Sequence, residues 1–269
     1  MTDGLRLMGM FAHPDDESLG TGGTLARYAA EGVETSLVTA THGERGWFGD
    51  EADYPGPEAL GATRAQELDG AARALGVREV VLLDYIDGEL DEAEQSQVVQ
   101  RLVREIRRVR PQVVVTFGQD GVYGHPDHIA MCQFATAAVQ ASADPTYAPQ
   151  AGEQPHRVSK LYYRAPTRAY LAAYEAAFGE LVMDIDGQER RSQGWEDWVI
   201  TTRIDTSDHW EQVWEAVRCH RSQLPGYQSL LDLPPQHHQG LWGEQDYYRV
   251  FSLVNGGRAT ETDLFEGLR

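Results

Sequence analysis

The stretch LRLMGMFAHPDDESLGTGG, residues 5–23, joins an apolar run to a histidine, three consecutive acids and three glycines. A continuous apolar run such as 5–12 is typical of a strand that is covered on both faces of a sheet. Three neighbouring carboxylates repel one another, and burying them at the end of a core strand costs several kcal/mol unless a positive charge compensates them. A divalent cation would supply that charge, so the stretch predicts a metal site at the end of the first strand.

Strand-like and helix-like segments alternate over the first 140 or so residues. The alternation predicts an α/β protein with a Rossmann-like, mostly parallel sheet and helices on both faces. The pattern is less regular after that, and it predicts a smaller C-terminal α/β cover. Strands are predicted at 5–12, 33–41, 78–85, 112–118, 159–165, 198–205 and 246–254, and helices at 22–32, 58–77, 92–110, 126–142 and 208–224.

The chain of 269 residues suits one large domain with a sizeable core. Residues 1–165 are predicted to form a Rossmann-like metal-binding catalytic core. Residues 166–269 are predicted to form a C-terminal portion that packs on this core and shapes the substrate site. We expect the two parts to make one integrated domain.

The composition argues against several classes of partner. The net charge is −19, from 23 basic and 42 acidic residues, whereas nucleic acid and anionic membranes require a basic surface. The sequence has neither an apolar run of about 18 residues nor an apolar segment behind basic residues at its start, so we expect no membrane partner and a cytoplasmic location. Two cysteines, Cys132 and Cys219, are too few for a disulfide framework or a thiolate zinc site.

A second motif, YGHPDH at 123–128, follows the predicted strand at 112–118. Because the carboxyl ends of parallel strands meet at one edge of a sheet, this motif and HPDDE should face each other. Two histidines and one carboxylate are a typical catalytic zinc set, which leaves one position open for water. A further carboxylate could then take a proton from that water. Spacing alone does not decide which acid binds the metal, which is the base and which braces the loop.

The pair AHPDDE at 12–17 and HPDH at 125–128 resembles the PIG-L/LmbE-like zinc-dependent N-acetylglucosaminyl deacetylases, which include the deacetylases of mycothiol and bacillithiol biosynthesis. The resemblance covers most of residues 1–142, and near the C-terminus only CHRSQ (219–223) is similar. It implies an enzyme that removes the acetyl group from an N-acetylglucosamine-type sugar conjugate and releases acetate and a free amine. It implies Zn²⁺ as the cofactor, with Fe²⁺ as an alternative.

The resemblance also implies roles for individual residues. The metal ligands fall on His13, Asp16 and His128, and the general base falls on Asp15. His125 would stabilise the charged intermediate or protonate the leaving amine. Asp127 would orient the His125 ring, and Tyr123 would support the oxyanion.

The substrate-side residues carry weaker signals. The resemblance places Arg64 and Asp87 at sugar hydroxyls, while Glu44 follows the second predicted strand and is expected to line the cleft. The loop 45–57 contains Trp47, Phe48 and Tyr54, and either a lid over a sugar ring or an ordinary surface loop would explain them. The expected partner is a small N-acetylated sugar conjugate, and a homo-oligomer is left open.

Two alternative functions remain at this point. One is an amidase of the same family that cleaves a thiol conjugate or another small amide. Such relatives carry a lysine shortly after HPDDE, where this chain has Ser18, Leu19 and Gly20, which favours a simple deacetylase. The other is a nucleotide-binding α/β module that uses the glycines at 20–23. Their spacing does not match the dinucleotide fingerprint, and the acids beside them would repel a polyphosphate.

Overall fold

The computed structural model describes residues 4–148, 153–178, 182–185 and 187–269. Its main feature is a seven-stranded sheet, with a separate two-stranded hairpin. The strands are β1 (Arg6–Phe11), β2 (Glu34–Thr41), β3 (Glu79–Tyr85), β4 (Val113–Phe117), β5 (Lys160–Arg164), β6 (Val182–Ile185), β7 (Gln188–Arg191), β8 (Thr202–Asp205) and β9 (Glu244–Ser252). The helices are α1 (Asp16–Ala30), α2 (Pro57–Ala74), α3 (Gln95–Val109), α4 (Gly121–Gly124), α5 (Pro126–Ala141), α6 (Arg168–Phe178), α7 (Trp210–Cys219), α8 (Gln228–Leu231) and α9 (Pro235–Trp242).

The large sheet has the strand order β3-β2-β1-β4-β5-β9-β8. The pairs among the first five strands are parallel, whereas β9 runs antiparallel to both β5 and β8. Helices α1, α2 and α7 pack together, and α3 packs against α5, so the sheet has a helical layer on each side. The predicted α/β class and the mostly parallel sheet are therefore confirmed.

The central strands explain why the sequence forms this fold. In β1, Leu7, Met8 and Met10 are fully buried although neighbouring side chains point to opposite faces, and all residues of β4 are buried as well. Burial on both faces is the condition that favours continuous apolar runs in parallel strands. This accounts for the pattern LRLMGMFA at the start of the chain.

The C-terminal portion extends the sheet through β8 and β9. A buried carboxylate, Glu261, holds this region together by accepting hydrogen bonds from Lys160 Nζ at 2.6 Å and from Tyr162 Oη and Thr202 Oγ1 at 2.8 Å each. Strands from both predicted portions are therefore hydrogen-bonded side by side. The division at residues 165 and 166 stays a prediction.

The first helix differs from its prediction. It begins at Asp16 rather than at residue 22, so Asp16 and Glu17 lie in its first turn, where the helix dipole stabilises negative charge. The glycines of this helix allow close packing: a Cβ on Gly23 would lie 2.7 Å from Cβ of Thr206. Helices α4, α6, α8 and α9 and the β6–β7 hairpin were not predicted. None of the helices in the described ranges is long and apolar enough to cross a membrane.

Candidate metal centre and active site

The site lies where the sheet topology changes direction. Strand β1 has β2 on one side and β4 on the other, so the connections after β1 and β4 diverge and leave a crevice at the carboxyl ends of the two strands. His13 follows β1, and the 123–128 motif follows β4. The predicted meeting of the two motifs is confirmed, because His13 Nδ1 lies 3.2 Å from His128 Nε2.

Asp16 completes a compact group of three possible metal ligands. Its Oδ2 lies 3.5 Å from His13 Nδ1, and its Oδ1 lies 3.3 Å from His128 Nε2. Zinc bonds of about 2.0–2.1 Å in tetrahedral geometry separate neighbouring donor atoms by about 3.4 Å. Each histidine nitrogen thus lies at about this spacing from the other and from one Asp16 oxygen, a different oxygen for each histidine, which suits a divalent metal bound between the three side chains.

The outer nitrogen of each histidine is held by an acceptor. His13 Nε2 lies 3.0 Å from Asp127 Oδ2 and 3.1 Å from Asp87 Oδ1, while His128 Nδ1 lies 3.2 Å from the carbonyl oxygen of Gly121. These acceptors favour a proton on His13 Nε2 and on His128 Nδ1. The two nitrogens that face each other are then free to bind a metal, an arrangement common around metal-ligating histidines.

Charge around these ligands also fits a cation. Burial raises the pKa of the Asp16 carboxyl, but the nearby His128 and His13 outweigh burial and hold this pKa well below its usual range. Burial lowers the pKa of His13, whereas its contacts with Asp127, Asp16 and Asp87 raise it well above the usual value. The site therefore attracts positive charge, which a proton or a metal ion would supply.

Asp15 stands beside the ligand group in a strained backbone conformation. Its φ of 126° and ψ of −26° are rare for a residue other than glycine, and such strain is common at functional sites. Its Oδ2 accepts hydrogen bonds from Arg64 Nη2 at 3.1 Å and from Tyr227 Oη at 3.0 Å. Burial raises the pKa of the Asp15 carboxyl, and Arg64 opposes that shift.

The Asp127 carboxylate does not hold the His125 ring, contrary to the expectation from sequence. Its oxygens accept hydrogen bonds from the backbone N–H groups of Gly88 at 2.8 Å and Leu90 at 3.0 Å, and one of them contacts His13. Asp127 lies in the first turn of α5, and this position directs its carboxylate toward the turn after β3. Its side chain thus orients a different histidine from the one predicted.

His125 is positioned by backbone instead. The N–H of Asp127 donates to His125 Nδ1 at 3.1 Å, which fixes Nδ1 as an acceptor and leaves the ring proton on Nε2. Burial, followed by the charges of His13 and His128, lowers the pKa of His125 to about 3. The ring is therefore a neutral hydrogen-bond donor in this environment.

Three of the four remaining predicted residues line the cavity beside the ligand group, and one does not. Tyr123, Arg64 and Asp87 line the same cavity as the ligand group, and burial, followed by the neighbouring acid Asp16, raises the pKa of Tyr123 well above its usual value. Glu44 does not line this cavity. Its Oε1 accepts the backbone N–H of Asp87 at 2.9 Å, so it supports the turn that carries Asp87.

Arg64 also connects two loops beside the cavity. Its Nη1 donates to the carbonyl oxygen of Gly43 at 2.8 Å, and its Nη2 donates to the carbonyl oxygen of Pro14 as well as to Asp15. Its side chain is 3% exposed. Arg64 therefore ties the loops after β1 and β2 together beside Asp15.

Two residues of the C-terminal portion support Asp15; sequence reasoning missed Tyr227 and favoured a packing role for His220. Tyr227 contacts its carboxylate directly, and nothing in the sequence marks it. His220 acts through Glu17: its Nε2 lies 2.8 Å from Glu17 Oε1, while Glu17 Oε2 accepts the backbone N–H of Asp15 at 3.0 Å. The segment CHRSQ was the available signal for His220.

A cavity of about 350 Å³ adjoins these residues. Of the loop aromatics considered as a lid, Phe48 lines the cavity and contacts the ring of Tyr227, with ring centroids 6.4 Å apart. Trp47 instead packs against Tyr54, at a centroid distance of 6.0 Å. The loop thus contributes one aromatic side chain to the cavity wall.

Solved structures with the same fold include enzymes of different chemistry. The N,N'-diacetylchitobiose deacetylase of Pyrococcus horikoshii superposes with a TM-score of 0.69 at 23% identity, covering 92% of this chain and 84% of that one. The 4-carboxy-2-hydroxymuconate hydratase of Pseudomonas putida KT2440 superposes with a TM-score of 0.65 at 19% identity, covering 95% and 100%. At these identities the likeness shows the fold alone.

Sequence comparison is more specific. Residues 8–139 match the PIG-L family, described as GlcNAc-PI de-N-acetylase. Proteins named 1D-myo-inositol 2-acetamido-2-deoxy-alpha-D-glucopyranoside deacetylase are similar over nearly the full length. The one from Streptomyces scabiei is 34% identical and covers 98% of this chain and 90% of its own length, and number 2 from Saccharopolyspora erythraea is 38% identical and covers 96% and 98%. The chain therefore belongs to the PIG-L family.

Proposed function

We propose that this protein is a metal-dependent deacetylase that hydrolyses the acetamide of a small N-acetylglucosamine conjugate. The observation that carries the proposal is the group formed by His13, Asp16 and His128 beside the buried carboxylate of Asp15. The two histidine nitrogens lie 3.2 Å apart, and each lies 3.3–3.5 Å from one of the two Asp16 oxygens. The full-length similarity to deacetylases of an acetylated glucosaminyl inositol supports the same reaction.

The donor set suits a divalent metal and favours zinc. Imidazole and carboxylate are ligands of Zn²⁺, and the same combination of two histidines and one carboxylate also binds Fe²⁺. When bound, such an ion lowers the pKa of water and polarises the amide carbonyl. Three protein ligands would leave a position open for this chemistry, whereas a closed set of four would be structural.

Asp15 is the proposed general base. It adjoins Asp16 in the chain, and its Oδ2 is already occupied by Arg64 and Tyr227, so Oδ1 is the oxygen free to accept a proton from the attacking water. Burial raises the pKa of its carboxyl, which makes the carboxylate a better proton acceptor. A positioned base of this kind contributes on the order of 10²- to 10⁴-fold to the rate.

His125 and Tyr123 are the proposed donors to the developing negative charge. His125 presents Nε2–H because its Nδ1 accepts the N–H of Asp127, and the raised pKa of Tyr123 keeps its hydroxyl protonated. Fixed donors that face a developing oxyanion stabilise the transition state. Protonation of the departing amine is assigned to Asp15, which holds the proton removed from water, because the pKa of His125 is low.

Arg64 and Asp87 are the proposed sugar contacts. Both line the cavity and both are held by protein: Arg64 by backbone carbonyls and Asp15, and Asp87 by the N–H of Arg45 at 3.0 Å and by His13 at 3.1 Å. A charged group held in this way can hydrogen-bond a hydroxyl without losing its orientation. Glu44 is assigned a supporting role for Asp87 rather than a contact with substrate.

The test is acetate release by the purified protein from the acetylated glucosaminyl inositol after which its relatives are named. We expect equimolar acetate and primary amine, loss of both with a chelator, and recovery on adding Zn²⁺ or Fe²⁺. The Asp15→Asn protein from the same preparation is the control for contaminating hydrolase. Chelator-resistant release, or no release from any N-acetylglucosaminide by metal-loaded protein, would refute the proposal.

A further inference from the structure

The cavity beside the candidate metal site has an extended apolar lining in addition to the catalytic groups. Four of its side chains are almost completely buried: Leu171 is 6% exposed, Leu230 3%, Leu241 7% and Trp242 2%. These four side chains and two others form a surface that we call the apolar wall. Its residues lie on α1, α6, α8 and α9. The apolar wall consists of Leu19, Tyr170, Leu171, Leu230, Leu241 and Trp242.

Arg164 is a cation beside the apolar wall, and two of its nitrogens donate hydrogen bonds to backbone carbonyl oxygens. Arg164 lines the cavity, but its Nε donates to the carbonyl oxygen of Gly20 at 2.7 Å and its Nη1 to that of Asp246 at 2.6 Å. Its guanidinium carbon also lies 5.7 Å from the ring centroids of Tyr170 and Tyr247. Arg164 is thus bound to backbone and enclosed by aromatic rings.

The polar groups in the same cavity are concentrated around the metal site. The charged or ionisable side chains at this end of the cavity are Asp15, Asp16, Asp87, Arg64, His13, His125, His128, Tyr123 and Tyr227. Among the described residues of the lining, the apolar wall itself contributes no charged side chain. One cavity therefore combines a polar site for a sugar and its amide with a hydrocarbon surface.

The separation of polar and apolar lining indicates which kind of substituent on the sugar would bind well in the cavity. A polyol that is placed against Leu171, Leu230 and Leu241 would lose hydrogen bonds to water without gaining equivalent ones. An aryl or alkyl group would instead bury apolar surface, and it would need no polar partner. The apolar wall therefore favours an uncharged hydrocarbon group over a second cyclitol or sugar.

We propose that the substrate carries an aryl or alkyl group next to its N-acylated glucosamine unit, and that the apolar wall binds this group. The proposal rests on the proposed function, and it narrows the substrate class of that site. The hydrocarbon can be attached at the glycosidic oxygen or can extend the N-acyl chain, because both bonds adjoin the sugar. In either position the group is an uncharged hydrocarbon, and the experiment distinguishes the glycosidic position from the N-acyl position.

The experiment measures kcat and KM of the metal-loaded protein on matched pairs. Hexyl and phenyl N-acetyl-β-glucosaminides are compared with the methyl glycoside, and N-hexanoylglucosamine is compared with N-acetylglucosamine. The inositol conjugate is the polyol probe. We expect kcat/KM to rise ten- to a hundredfold in one of the two series, mainly through KM, because one methylene in an apolar pocket already changes kcat/KM by about tenfold or more.

Substitutions in the apolar wall test whether it causes the preference for hydrocarbon substituents. Leu171→Asn should reduce the hydrocarbon-to-methyl ratio of kcat/KM at least fivefold, and Leu19→Asn, at a less buried position, provides the same test if the first variant does not fold. Leu253→Asn is the matched control, because Leu253 is 56% exposed and does not line the cavity. Its ratio should equal that of the wild type.

The outcomes separate the two proposals. The proposed apolar substituent would be contradicted if kcat/KM for the hydrocarbon probes exceeded that for their counterparts by less than threefold in both series. A preference for the inositol conjugate over all hydrocarbon probes would contradict it as well. Both results would leave the proposed deacetylation intact. A preference that Leu171→Asn and Leu19→Asn leave unchanged would also overturn the proposed apolar substituent. Failure to release acetate or hexanoate from every probe would instead contradict the proposed function.

Discussion

Glu17 and His220 lie 203 residues apart in the chain, yet their side chains meet in the core at 2.8 Å. Both are buried, with exposures of 0% and 1%. Burial raises the pKa of Glu17, but His220 outweighs burial and lowers it. Burial lowers the pKa of His220, but the contacts with Glu17 outweigh burial and raise it. Because Glu17 also accepts the backbone N–H of Asp15, this ion pair fixes the strained residue that we assign as the base.

His220→Ala should therefore lower kcat at least tenfold with little change in KM or metal content. Removing one partner of a buried ion pair also leaves an uncompensated charge, which typically costs about 3–5 kcal/mol of stability. His220→Gln retains an N–H donor for Glu17 and should recover part of kcat. His237→Ala, at an exposed position in α9, is the control. Wild-type kcat in folded His220→Ala protein would contradict the positioning role.

Asp15→Asn should keep the metal and lose turnover. The amide oxygen can still accept hydrogen bonds from Arg64 and Tyr227, so the fold should be retained, but an amide cannot take a proton from water. We expect kcat to fall by roughly 10²- to 10⁴-fold. Steady-state kinetics and elemental analysis on one sample check both parts, with Asp84→Asn, 77% exposed, as the control. Substantial turnover by the variant would rule out Asp15 as the base.

Asp127→Asn should weaken metal binding, because it changes the acceptor that orients His13. Loss of such an outer partner typically lowers metal affinity about 10- to 100-fold. Competition with a fluorescent chelator measures the affinity, and His13→Ala provides the reference for losing a ligand outright. If Asp127 instead acts on His125 alone, as the sequence suggested, kcat would fall while the affinity stayed at the wild-type value.

Glu261→Gln should remove a pH-dependent part of the stability. Burial raises the pKa of this carboxyl, but hydrogen bonds from Asn255, Lys160 and Thr202 outweigh burial and lower it to about 2. A carboxyl whose pKa is lower in the folded state stabilises the fold above its unfolded value, near 4.5, and this stabilisation disappears as the pH falls from there toward 2. The shift corresponds to about 3 kcal/mol at neutral pH.

Urea unfolding at several pH values measures this contribution. The difference in unfolding free energy between wild type and Glu261→Gln should be largest above pH 5 and should shrink steadily below it. Glu244→Gln changes an exposed carboxylate that pairs with Arg203, so it should cost less than about 1 kcal/mol at any pH. A difference for Glu261→Gln that does not change with pH would show that its ionisation is not coupled to folding.

The sequence predicted the parts of the molecule that depend on local pattern. The apolar runs of β1 and β4 marked buried parallel strands, and the two HPD motifs placed His13 near His128 because strand ends share an edge. Contacts that depend on tertiary packing were not predictable. The direction of the Asp127 carboxylate is set by the start of α5 and by the turn at Gly88, and neither is visible in the motif itself.

The C-terminal portion was harder to predict for a related reason. Its strands β8 and β9 pair antiparallel at the end of a parallel sheet, and the hydrogen bonds to Glu261 that hold them come from distant segments. Tyr227 reaches Asp15 from a short turn with no motif around it. Such positions become visible only when the chain is folded.

The origin of the apolar wall has a consequence for how this fold can diversify. Five of its six residues follow residue 165, whereas the proposed ligands and base all fall between residues 13 and 128. Mutations can therefore remodel the part of the cavity that selects a substituent while the hydrolytic residues stay untouched. New substrates become accessible to descendants of this chain without reinventing the reaction, and the last hundred residues are where such divergence should be sought.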